Sequence, residues 1–346
     1  MKIGILTLPF DPNYGYILQT YALQKVLSQM GHEAVILNRC WNQSNNTFTY
    51  KAKRWLYYNV ICRRIYLRYS KIPHSPLFRS SQILREYVVK ERFDAIVVGS
   101  DQIWRIENTR GAELNFFLDF LEGIENIKRI AYAASFGNET WAGSEEETKR
   151  ISMLLSNFNG ISVREMSGVR MCKEYFKANA ECVLDPTLLI GPTGYDELSK
   201  GKFVQNQLVT YILDETEDKL QFINKVAKKK KLTVKSLYHK TNYYYESVES
   251  WVHSIKNASF VIVDSYHGMI FSIIFNKQFI VIANKKRGDT RFVNLLEMIG
   301  LRNRLIEDLN EQSILQSANY IDYTIVNPLI KKEQERSLAL LKTYIS

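Results

Sequence analysis

The chain has 346 residues, more than one hydrophobic core usually organises, so we expect two domains. Its 46% apolar and 24% charged residues argue against disorder, and no apolar run approaches the roughly 20 residues of a membrane-spanning helix. The formal net charge is +10, and the opening "MKIGILTLPF" resembles a first strand rather than a signal peptide. We therefore expect a cytoplasmic protein.

The first half of the chain alternates apolar strands with helical segments. "KIGILTL" predicts a strand, "YILQTYALQKVLSQMGH" a helix and "EAVILNR" a second strand. The pattern continues through strands in "FDAIVVGSDQIW", "RIAYAASFG" and "GISVRE". These strands are too apolar to have one exposed face, which is typical of a parallel sheet covered by helices.

The cycle restarts near residue 191, with strands in "QLVTYIL", "LTVKSLY", "SFVIVDS" and "QFIVIAN". Two successive halves of this kind predict an α/β fold with two Rossmann-like domains facing across a cleft. We place an N-terminal domain at 1–190, with a basic aromatic insertion at about 41–92, and a C-terminal domain at 191–325. Residues 326–346 are predicted as a C-terminal helix, for which packing back on the N-terminal domain is one arrangement.

Polar clusters follow the predicted strands: "DPNYG", "GSDQ", "SVRE", "DSYHG" and "NKKRGDTR". Ligands of such sheets bind beyond the carboxyl ends of the strands, so each cluster is a candidate binding site. The four cysteines include no C-x-x-C pair, and the histidines are scattered. This pattern indicates neither a zinc site nor a disulfide framework.

Most of the positive charge lies in one segment. Eleven basic residues occur between Lys51 and Arg92, opposed only by Glu86 and Glu91, which leaves +9 of the total there. The same segment also contains apolar and aromatic residues whose spacing would place them near one face of a helix: Trp55, Tyr58, Cys62, Ile65, Tyr66 and Tyr69. Three interpretations stay open: membrane contact through residues 51–71, packing of the aromatic residues in the core, and nucleic acid binding, which we rank last.

Several blocks together resemble the polysaccharide pyruvyl transferase family. They span residues 13 to about 301 and run in the family's order: "NYGYILQTYALQ", "FDAIVVGSDQIW", "FLDF" leading to "RIAYAASFG", "ISVRE", "VLDPTLL", "DSYHGMIFSIIFNK" and "FIVIANKKRGDTRFVNLLEMIGL". The basic segment is not among them. The resemblance implies an architecture similar to GT-B glycosyltransferases, in agreement with the two Rossmann-like halves.

The resemblance also implies a reaction. An enolpyruvyl unit would move from phosphoenolpyruvate to a sugar of a bacterial surface polysaccharide, or of its lipid-linked precursor, to form a pyruvate ketal. It implies no metal or redox cofactor, and a lipid-linked acceptor would place the protein at the inner face of the cytoplasmic membrane. Two other functions stay open: a GT-B-type glycosyltransferase using a nucleotide sugar, and a non-catalytic membrane or nucleic acid binder. We expect no nucleic acid partner.

His267 is the first candidate for acid–base catalysis or phosphate binding, with an inert helix cap as the alternative. It follows a strand and begins a helix, where an anion would meet the helix N-terminus, and the unperturbed pKa of histidine near 6.5 permits either protonation state. Gly268 would let a ligand approach the backbone. Some family members have an arginine where this chain has Ser265, so Arg287 and Arg291 are candidates to supply the charge, or are solvated loop residues.

Arg164 matches an arginine of the family. It would bind the donor's carboxylate or phosphate, or form a buried pair with Glu165 or Asp185. We expect Asp185 to be structural and Asp264 to support the loop of His267.

The remaining candidates follow the first and third predicted strands of the chain. Asp101 would accept a proton from the sugar hydroxyl or cap the next helix, and Ser100 and Gln102 flank it. Three residues form the turn after the first strand and are expected to contact a substrate, with simple turn chemistry as the alternative: Asn13, Tyr14 and Gly15.

Overall fold

The structure is a computed structural model that describes residues 1–40, 52–53, 55–57, 60, 62–109, 111–238, 245–284, 288–316 and 318–346. It divides into two compact units, and each is described by itself. Unit 1 comprises Met1–Lys53, Tyr69–Ile190 and Glu333–Ser346. Unit 2 comprises Arg54–Arg68 and Gly191–Lys332.

Unit 1 contains a six-stranded parallel sheet in the order β2-β1-β3-β4-β5-β6. Its strands are β1 (Lys2–Leu6), β2 (Glu33–Ile36), β3 (Ala95–Val98), β4 (Lys128–Ala134), β5 (Gly160–Val163) and β6 (Glu181–Cys182). The helices along this part of the chain are α1 (Tyr14–Gln29), α2 (Arg63–Tyr69), α3 (Ser81–Lys90), α4 (Glu145–Leu155), α5 (Met166–Phe176) and α6 (Pro186–Leu189). Short 3-10 turns lie at Ile106–Asn108, Glu113–Phe117 and Asp119–Leu121.

Unit 2 contains a five-stranded parallel sheet in the order β11-β10-β9-β7-β8. Its strands are β7 (Gln207–Tyr211), β8 (Thr233–Ser236), β9 (Phe260–Val263), β10 (Phe279–Ile282) and β11 (Leu305–Ile306). The helices are α7 (Glu217–Lys230), α8 (Val248–Asn257), α9 (Tyr266–Ile274), α10 (Thr290–Met298), α11 (Glu311–Gln316) and α12 (Tyr323–Ile345), with 3-10 turns at Pro192–Leu198 and Arg302–Arg304.

The central strands are buried on both faces, as their unbroken apolar sequences predict. Every residue of β3, β5, β9 and β10 is buried. Burial at about 25 cal/mol per Å² of apolar surface is the main force that holds helices on both sides of such a sheet. Two parallel sheets of Rossmann-like type are therefore confirmed. Among the described residues, no helix has the length and apolar content that crossing a membrane requires.

Helix starts follow local capping chemistry. Ser144 accepts a hydrogen bond from the Glu147 amide, and the Glu147 carboxylate accepts one from the Ser144 amide, which begins α4 with a capping box. Ser265 begins α9 in the same way, because its Oγ accepts from the Gly268 amide at 3.3 Å. The cap at Ser265 fixes where α9 begins after β9, and so helps to fix the side chains at the end of that strand.

The final helix, α12, begins in unit 2 and ends in unit 1. Its last turn lies against β5, where the Tyr344 hydroxyl donates to the Ile161 carbonyl at 3.1 Å. Burial, and then the charge of Glu181, raises the pKa of Tyr344 to about 12, so the hydroxyl is a donor at neutral pH. The Lys128 ammonium donates to the Ile345 carbonyl at 2.8 Å. Unit 1 therefore includes a helical segment from the far end of the chain.

We expect Gly160→Ala to destabilise the protein by about 1–3 kcal/mol, since overpacking of a filled site has that cost. A Cβ at Gly160 would lie 2.1 Å from Cγ of the Tyr344 ring, so the last turn of α12 would have to move. The measurement is urea unfolding followed by circular dichroism. In the Tyr344→Ala background the same substitution should cost little, because the obstructing ring is gone. Equal midpoints for wild type and Gly160→Ala would contradict this packing.

Candidate functional site

Polar side chains gather at the carboxyl ends of the strands in each unit. In unit 1 they follow β3, β5 and β6, and in unit 2 they follow β7, β9 and β10. Parallel strands bring these ends to one edge of the sheet, where ligands of α/β proteins bind. The clusters are therefore described one unit at a time.

Arg164 is the centre of the unit 1 cluster. Its side chain is fully buried directly after β5, and Nη1 donates to Oδ2 of Asp185 at 2.8 Å. Nη2 donates to Oδ1 of Asp101 at 2.9 Å. The Nε atom lies 4.0 Å from Oε2 of Glu165. The buried pair with Asp185, one alternative from the sequence, is thus present, and the arginine links the ends of β3, β5 and β6.

Asp101 is the member of this cluster that reaches solvent. Its side chain is 18% exposed, whereas those of Arg164 and Asp185 are fully buried. The backbone has φ +83°, which is uncommon for a residue with a side chain and is held here by neighbouring contacts. One such contact is the Ser135 amide, which donates to the Asp101 carbonyl at 3.0 Å. A held, solvent-reaching carboxylate is suited to accept a proton or a hydrogen bond from a ligand.

The neighbours of Asp101 are bonded within unit 1. The Ser100 hydroxyl is fully buried and donates to Asp185 Oδ2 at 3.3 Å, and the Ser100 amide donates to Gln19 Oε1 at 3.2 Å. The Gln102 amide donates to Asp101 Oδ1 at 2.9 Å. A Cβ on Gly137 would lie 2.4 Å from Nε2 of Gln102, so this side chain covers the loop after β4. Substrate contact by Ser100 and Gln102 stays a prediction.

The turn after β1 has the chemistry of a helix cap. Oδ1 of Asn13 accepts from the Gly15 amide at 2.9 Å and from the Tyr16 amide at 3.4 Å, which begins α1. Tyr14 and Gly15 are buried in the first turn. Turn chemistry accounts for Asn13, and the expected substrate contacts of the three residues stay predictions.

Two further groups near Asp101 have raised pKa values. The pKa of the Asp11 carboxyl is raised, first because surrounding protein displaces water and second because Asp101 repels another negative charge. The pKa of the buried Tyr16 hydroxyl is raised well above its ordinary value, mainly by burial and then by Tyr69. Both shifts favour the neutral acid, so Asp101 lies among groups that hold their protons.

Asp264 organises the unit 2 cluster. It is fully buried after β9, and its carboxylate accepts from the Leu213 amide at 2.6 Å and from the Lys219 ammonium at 2.7 Å. The Asp214 amide donates to it at 3.2 Å, and Nδ2 of Asn284 donates at 3.3 Å. Asp264 therefore links the loops after β7 and β10 to the loop after β9, in which it lies.

His267 lies in the first turn of α9 and is buried. The Ser265 cap precedes it, and its ring centre is 5.6 Å from that of Tyr266 in an edge-on arrangement. The glycine that follows has a packing reason, because a Cβ on Gly268 would lie 2.8 Å from Cγ1 of Val263. The close packing of α9 against β9 thus requires a glycine at this position. Contact between Gly268 and a ligand stays a prediction.

Arg291 joins the same group of side chains from α10. It is buried, and its guanidinium carbon lies 5.2 Å from the centre of the Tyr266 ring, a cation–π distance. Tyr266 is thus in contact with His267 on its own helix and with Arg291 on the next. The other predicted arginine, Arg287, lies outside the described residues.

Sequence reasoning missed three contributors to the unit 2 cluster: Asp214, Lys219 and Asn284. Nδ2 of Asn284 donates to the Asp214 carboxylate at 2.7 Å, and Lys219 donates to the Asp214 carbonyl at 2.9 Å. Their signal was position, since Asp214 and Asn284 follow buried strands in the chain. In the described ranges, no three His, Cys, Asp or Glu side chains are grouped closely enough to hold a metal ion.

One family model matches the chain, that of polysaccharide pyruvyl transferase, over residues 13–286. The matched span includes the clusters after β3, β5, β7 and β9 and Asn284 after β10, and it ends before Arg291. No curated protein matches the sequence.

Solved structures with the same fold are distant in sequence. A UDP-GlcNAc 2-epimerase from Methanocaldococcus jannaschii has a TM-score of 0.60 at 12% identity, with 99% of this chain and 99% of that chain covered. A UDP-N-acetylglucosamine 2-epimerase from Rickettsia bellii has 0.56 at 9%, with 100% and 97% covered. Arabidopsis thaliana UGT89C1 complexed with UDP-L-rhamnose has 0.54 at 10%, with 99% and 98% covered. At such identities the likeness shows the fold alone, and the predicted GT-B-like class is confirmed.

We expect Arg164→Met to destabilise the protein by about 3–5 kcal/mol, since it leaves two carboxylates without their buried cation. Arg164→Lys should cost less, because one ammonium retains the charge but cannot reach both carboxylates in the same way. Urea unfolding measures both. An Arg164→Met protein that unfolds at the wild-type urea concentration would show that the guanidinium has no structural role.

Proposed function

The chain belongs to the polysaccharide pyruvyl transferase family, as its motifs predicted, and on this premise we propose that it forms a pyruvate ketal on a sugar with phosphoenolpyruvate as the donor. The proposed acceptor is a sugar of a bacterial surface polysaccharide or of its lipid-linked precursor. We further propose that the reaction takes place on the cytoplasmic side of the membrane, where phosphoenolpyruvate is available.

The reaction sets definite chemical requirements. The methylene carbon of phosphoenolpyruvate must gain a proton, and a sugar hydroxyl must lose one as its oxygen bonds to the central carbon. Phosphate then leaves, and a second hydroxyl of the same sugar takes its place to close the ketal. One hydroxyl proton ends on the new methyl group and the other on the phosphate. The enzyme must therefore bind two anionic groups and supply an acid and a base.

The proposed donor site is supported by the contacts that His267 and Arg291 make with Tyr266. A buried imidazole and a buried guanidinium both contact one tyrosine ring, with centres 5.6 Å and 5.2 Å from it. The imidazole belongs to the first turn of α9, where backbone amides favour an anion. We propose that His267 protonates the methylene carbon and that Arg291 binds the donor's carboxylate or phosphate.

The side chain of Ser265 bears on which residue supplies the positive charge for the donor. Where some family members have an arginine, Ser265 here accepts from the Gly268 amide and holds the first turn of α9. The serine contributes no charge, so the cation must come from another residue. Arg291 is a buried cation that contacts the Tyr266 ring beside His267. This position supports the proposal that Arg291 binds the donor.

In unit 1 we propose that Asp101 accepts the proton of the sugar hydroxyl and that Arg164 is a positioning residue. The carboxylate of Asp101 reaches solvent, whereas Arg164 is enclosed and holds Asp101 by a 2.9 Å hydrogen bond. This reassigns Arg164 from donor binding to the alignment of the base. Asn13, Tyr14, Gly15, Ser100 and Gln102 remain proposed contributors to substrate binding around this carboxylate.

A second function, transfer of a sugar from a nucleotide sugar, is supported by the fold. The solved structures reported above include an epimerase for UDP-GlcNAc and a protein complexed with UDP-L-rhamnose. We rank this function second, because the family model matches most of the chain and the fold hosts several reactions.

Calorimetric titration of the purified protein with phosphoenolpyruvate and with UDP-, GDP- and CMP-sugars separates the two functions. Binding of phosphoenolpyruvate that is lost in the Arg291→Gln protein supports the proposed donor site. Binding of a nucleotide sugar alone would overturn pyruvyl transfer. Acceptors are then found by measuring phosphate release from phosphoenolpyruvate with a panel of soluble and lipid-linked saccharides.

We expect His267→Gln to lower turnover by at least about 100-fold, the usual contribution of an acid–base group, with a smaller change in donor affinity. Glutamine keeps a polar side chain of similar size but cannot donate a proton to carbon. Phosphate release in the presence of an acceptor measures the effect. The matched control is His253→Gln on α8 of the same unit, which should keep wild-type turnover. Wild-type turnover in a folded His267→Gln protein would remove His267 from the chemistry.

We expect Arg291→Gln to weaken phosphoenolpyruvate binding by about 10–100-fold and to change turnover less, since a hydrogen bond to a charged group contributes about 1.5–3 kcal/mol. Calorimetry gives the affinity and phosphate release gives the turnover. Arg302→Gln is the matched control, because this arginine lies near solvent and pairs with Glu307 at 3.3 Å. Unchanged donor affinity in Arg291→Gln would show that Arg291 does not bind the donor.

A further inference from the structure

The segment of the chain that follows β2 and precedes α3 has an unusual charge composition. Residues 51–71 contain seven lysines and arginines and no aspartate or glutamate. The segment lies within the span of the family model but is not among the motifs that carry the family resemblance. Such a concentration of one charge indicates a partner of the opposite charge.

The structure separates the inward and outward sides of this segment. Cys62 and Ile65 are fully buried, so core packing explains this part of the predicted apolar face. Large apolar residues on the other side are exposed: Trp55 (63%), Leu56 (50%), Val60 (59%) and Leu67 (49%). Leu67 lies on α2, and Trp55, Leu56 and Val60 precede that helix in the chain.

Two arginines accompany these apolar side chains. Arg63 and Arg64 are exposed, and Arg63 lies one helical turn before Leu67 on α2. Arg68 differs, because its guanidinium is 13% exposed and lies 3.5 Å from Glu197 and 4.0 Å from Glu249 within unit 2. Arg68 thus pairs within unit 2, whereas Arg63 and Arg64 are exposed to solvent.

We propose that the outward side of this segment binds the surface of an anionic lipid bilayer. We define it as the basic apolar face: Trp55, Leu56, Val60, Arg63, Arg64 and Leu67. Aliphatic and indole side chains would enter the boundary between headgroups and acyl chains, and the arginines would pair with lipid phosphates. The negative charge of an anionic membrane surface complements the two exposed arginines of this face, Arg63 and Arg64.

A lipid surface fits this face better than a nucleic acid does. A nucleic acid offers phosphates to arginine and flat bases to aromatic rings, and gives aliphatic side chains little to contact. Three of the four exposed apolar residues are aliphatic: Leu56, Val60 and Leu67. The combination of arginine with leucine and valine therefore favours the membrane.

The inference names a partner surface and does not rest on pyruvyl transfer. Vesicle binding is measured without donor or acceptor, so its failure and the failure of the proposed reaction are distinguishable. If both hold, the face would bring the protein to a lipid-linked saccharide.

The test is cosedimentation of the full chain with vesicles of phosphatidylcholine alone or mixed with phosphatidylglycerol. We expect binding to the anionic vesicles that weakens as salt is added. Arg63→Glu/Arg64→Glu should weaken it about ten-fold or more, since each cation near an anionic surface contributes substantially. The control, Lys228→Glu/Lys229→Glu, alters two exposed lysines of α7 and lowers the formal net charge by the same four units. An equal loss of vesicle binding in the two double variants would overturn the assignment of binding to this face and would indicate that the overall charge of the protein drives binding.

A second pair of variants tests the apolar part. Leu56→Gln/Leu67→Gln should weaken anionic-vesicle binding several-fold, whereas Leu315→Gln, at a residue 59% exposed on α11, should not. Unchanged binding in the Leu56→Gln/Leu67→Gln protein would overturn insertion of the face. Retained vesicle binding by Arg63→Glu/Arg64→Glu, together with lost binding to a single-stranded oligoribonucleotide, would replace the membrane by a nucleic acid. Wild-type circular dichroism and urea midpoints establish that each variant is folded.

Discussion

Both candidate sites depend on one buried charge placed directly after a strand. In unit 1 it is Arg164 after β5, and in unit 2 it is Asp264 after β9. A lone charge in such a place would cost several kcal/mol, so the loops that neutralise it cannot take arbitrary positions. Arg164 draws in two carboxylates from neighbouring strand ends. Asp264 draws in backbone amides, an ammonium and an amide side chain. The edge of each sheet is thereby fixed before any ligand binds.

The two units apply one local design at positions that are 100 residues apart. A strand ends in valine, the charged residue follows, a helix begins two residues later, and a glycine in its first turn lies against that valine. A Cβ on Gly168 would be 3.1 Å from Cβ of Val163, and on Gly268 it would be 2.8 Å from Cγ1 of Val263. The design differs at one informative point, because unit 1 has Ser167 where unit 2 has His267. The shared geometry is a matter of packing, and the acid–base role that we propose for His267 belongs to the position at which the two units differ.

Much of this could be predicted from local sequence. Apolar runs predicted the buried strands, and polar clusters predicted the strand ends that carry the sites. The partners of Arg164 could not be chosen, because Asp101 and Asp185 are 63 and 21 positions away and meet it only through the strand order. Periodicity likewise grouped Trp55 with Ile65 but could not tell that one is exposed and the other buried. Helix α3 went unpredicted inside the basic insertion, although Ser80 caps it and Leu84 and Val88 are buried.

The path of α12 has a consequence for biosynthesis. The chain leaves unit 1 after Lys53, returns to it for Tyr69–Ile190, and enters it again with Glu333–Ser346, whose Tyr344 lies against Gly160. A domain that is contiguous in sequence can fold as it leaves the ribosome, but unit 1 is complete only after residues 333–346 have been translated. Until then Tyr344 cannot cover Gly160 at the amino end of β5, so we expect this part of the sheet to be more accessible to water in the nascent chain than in the folded protein.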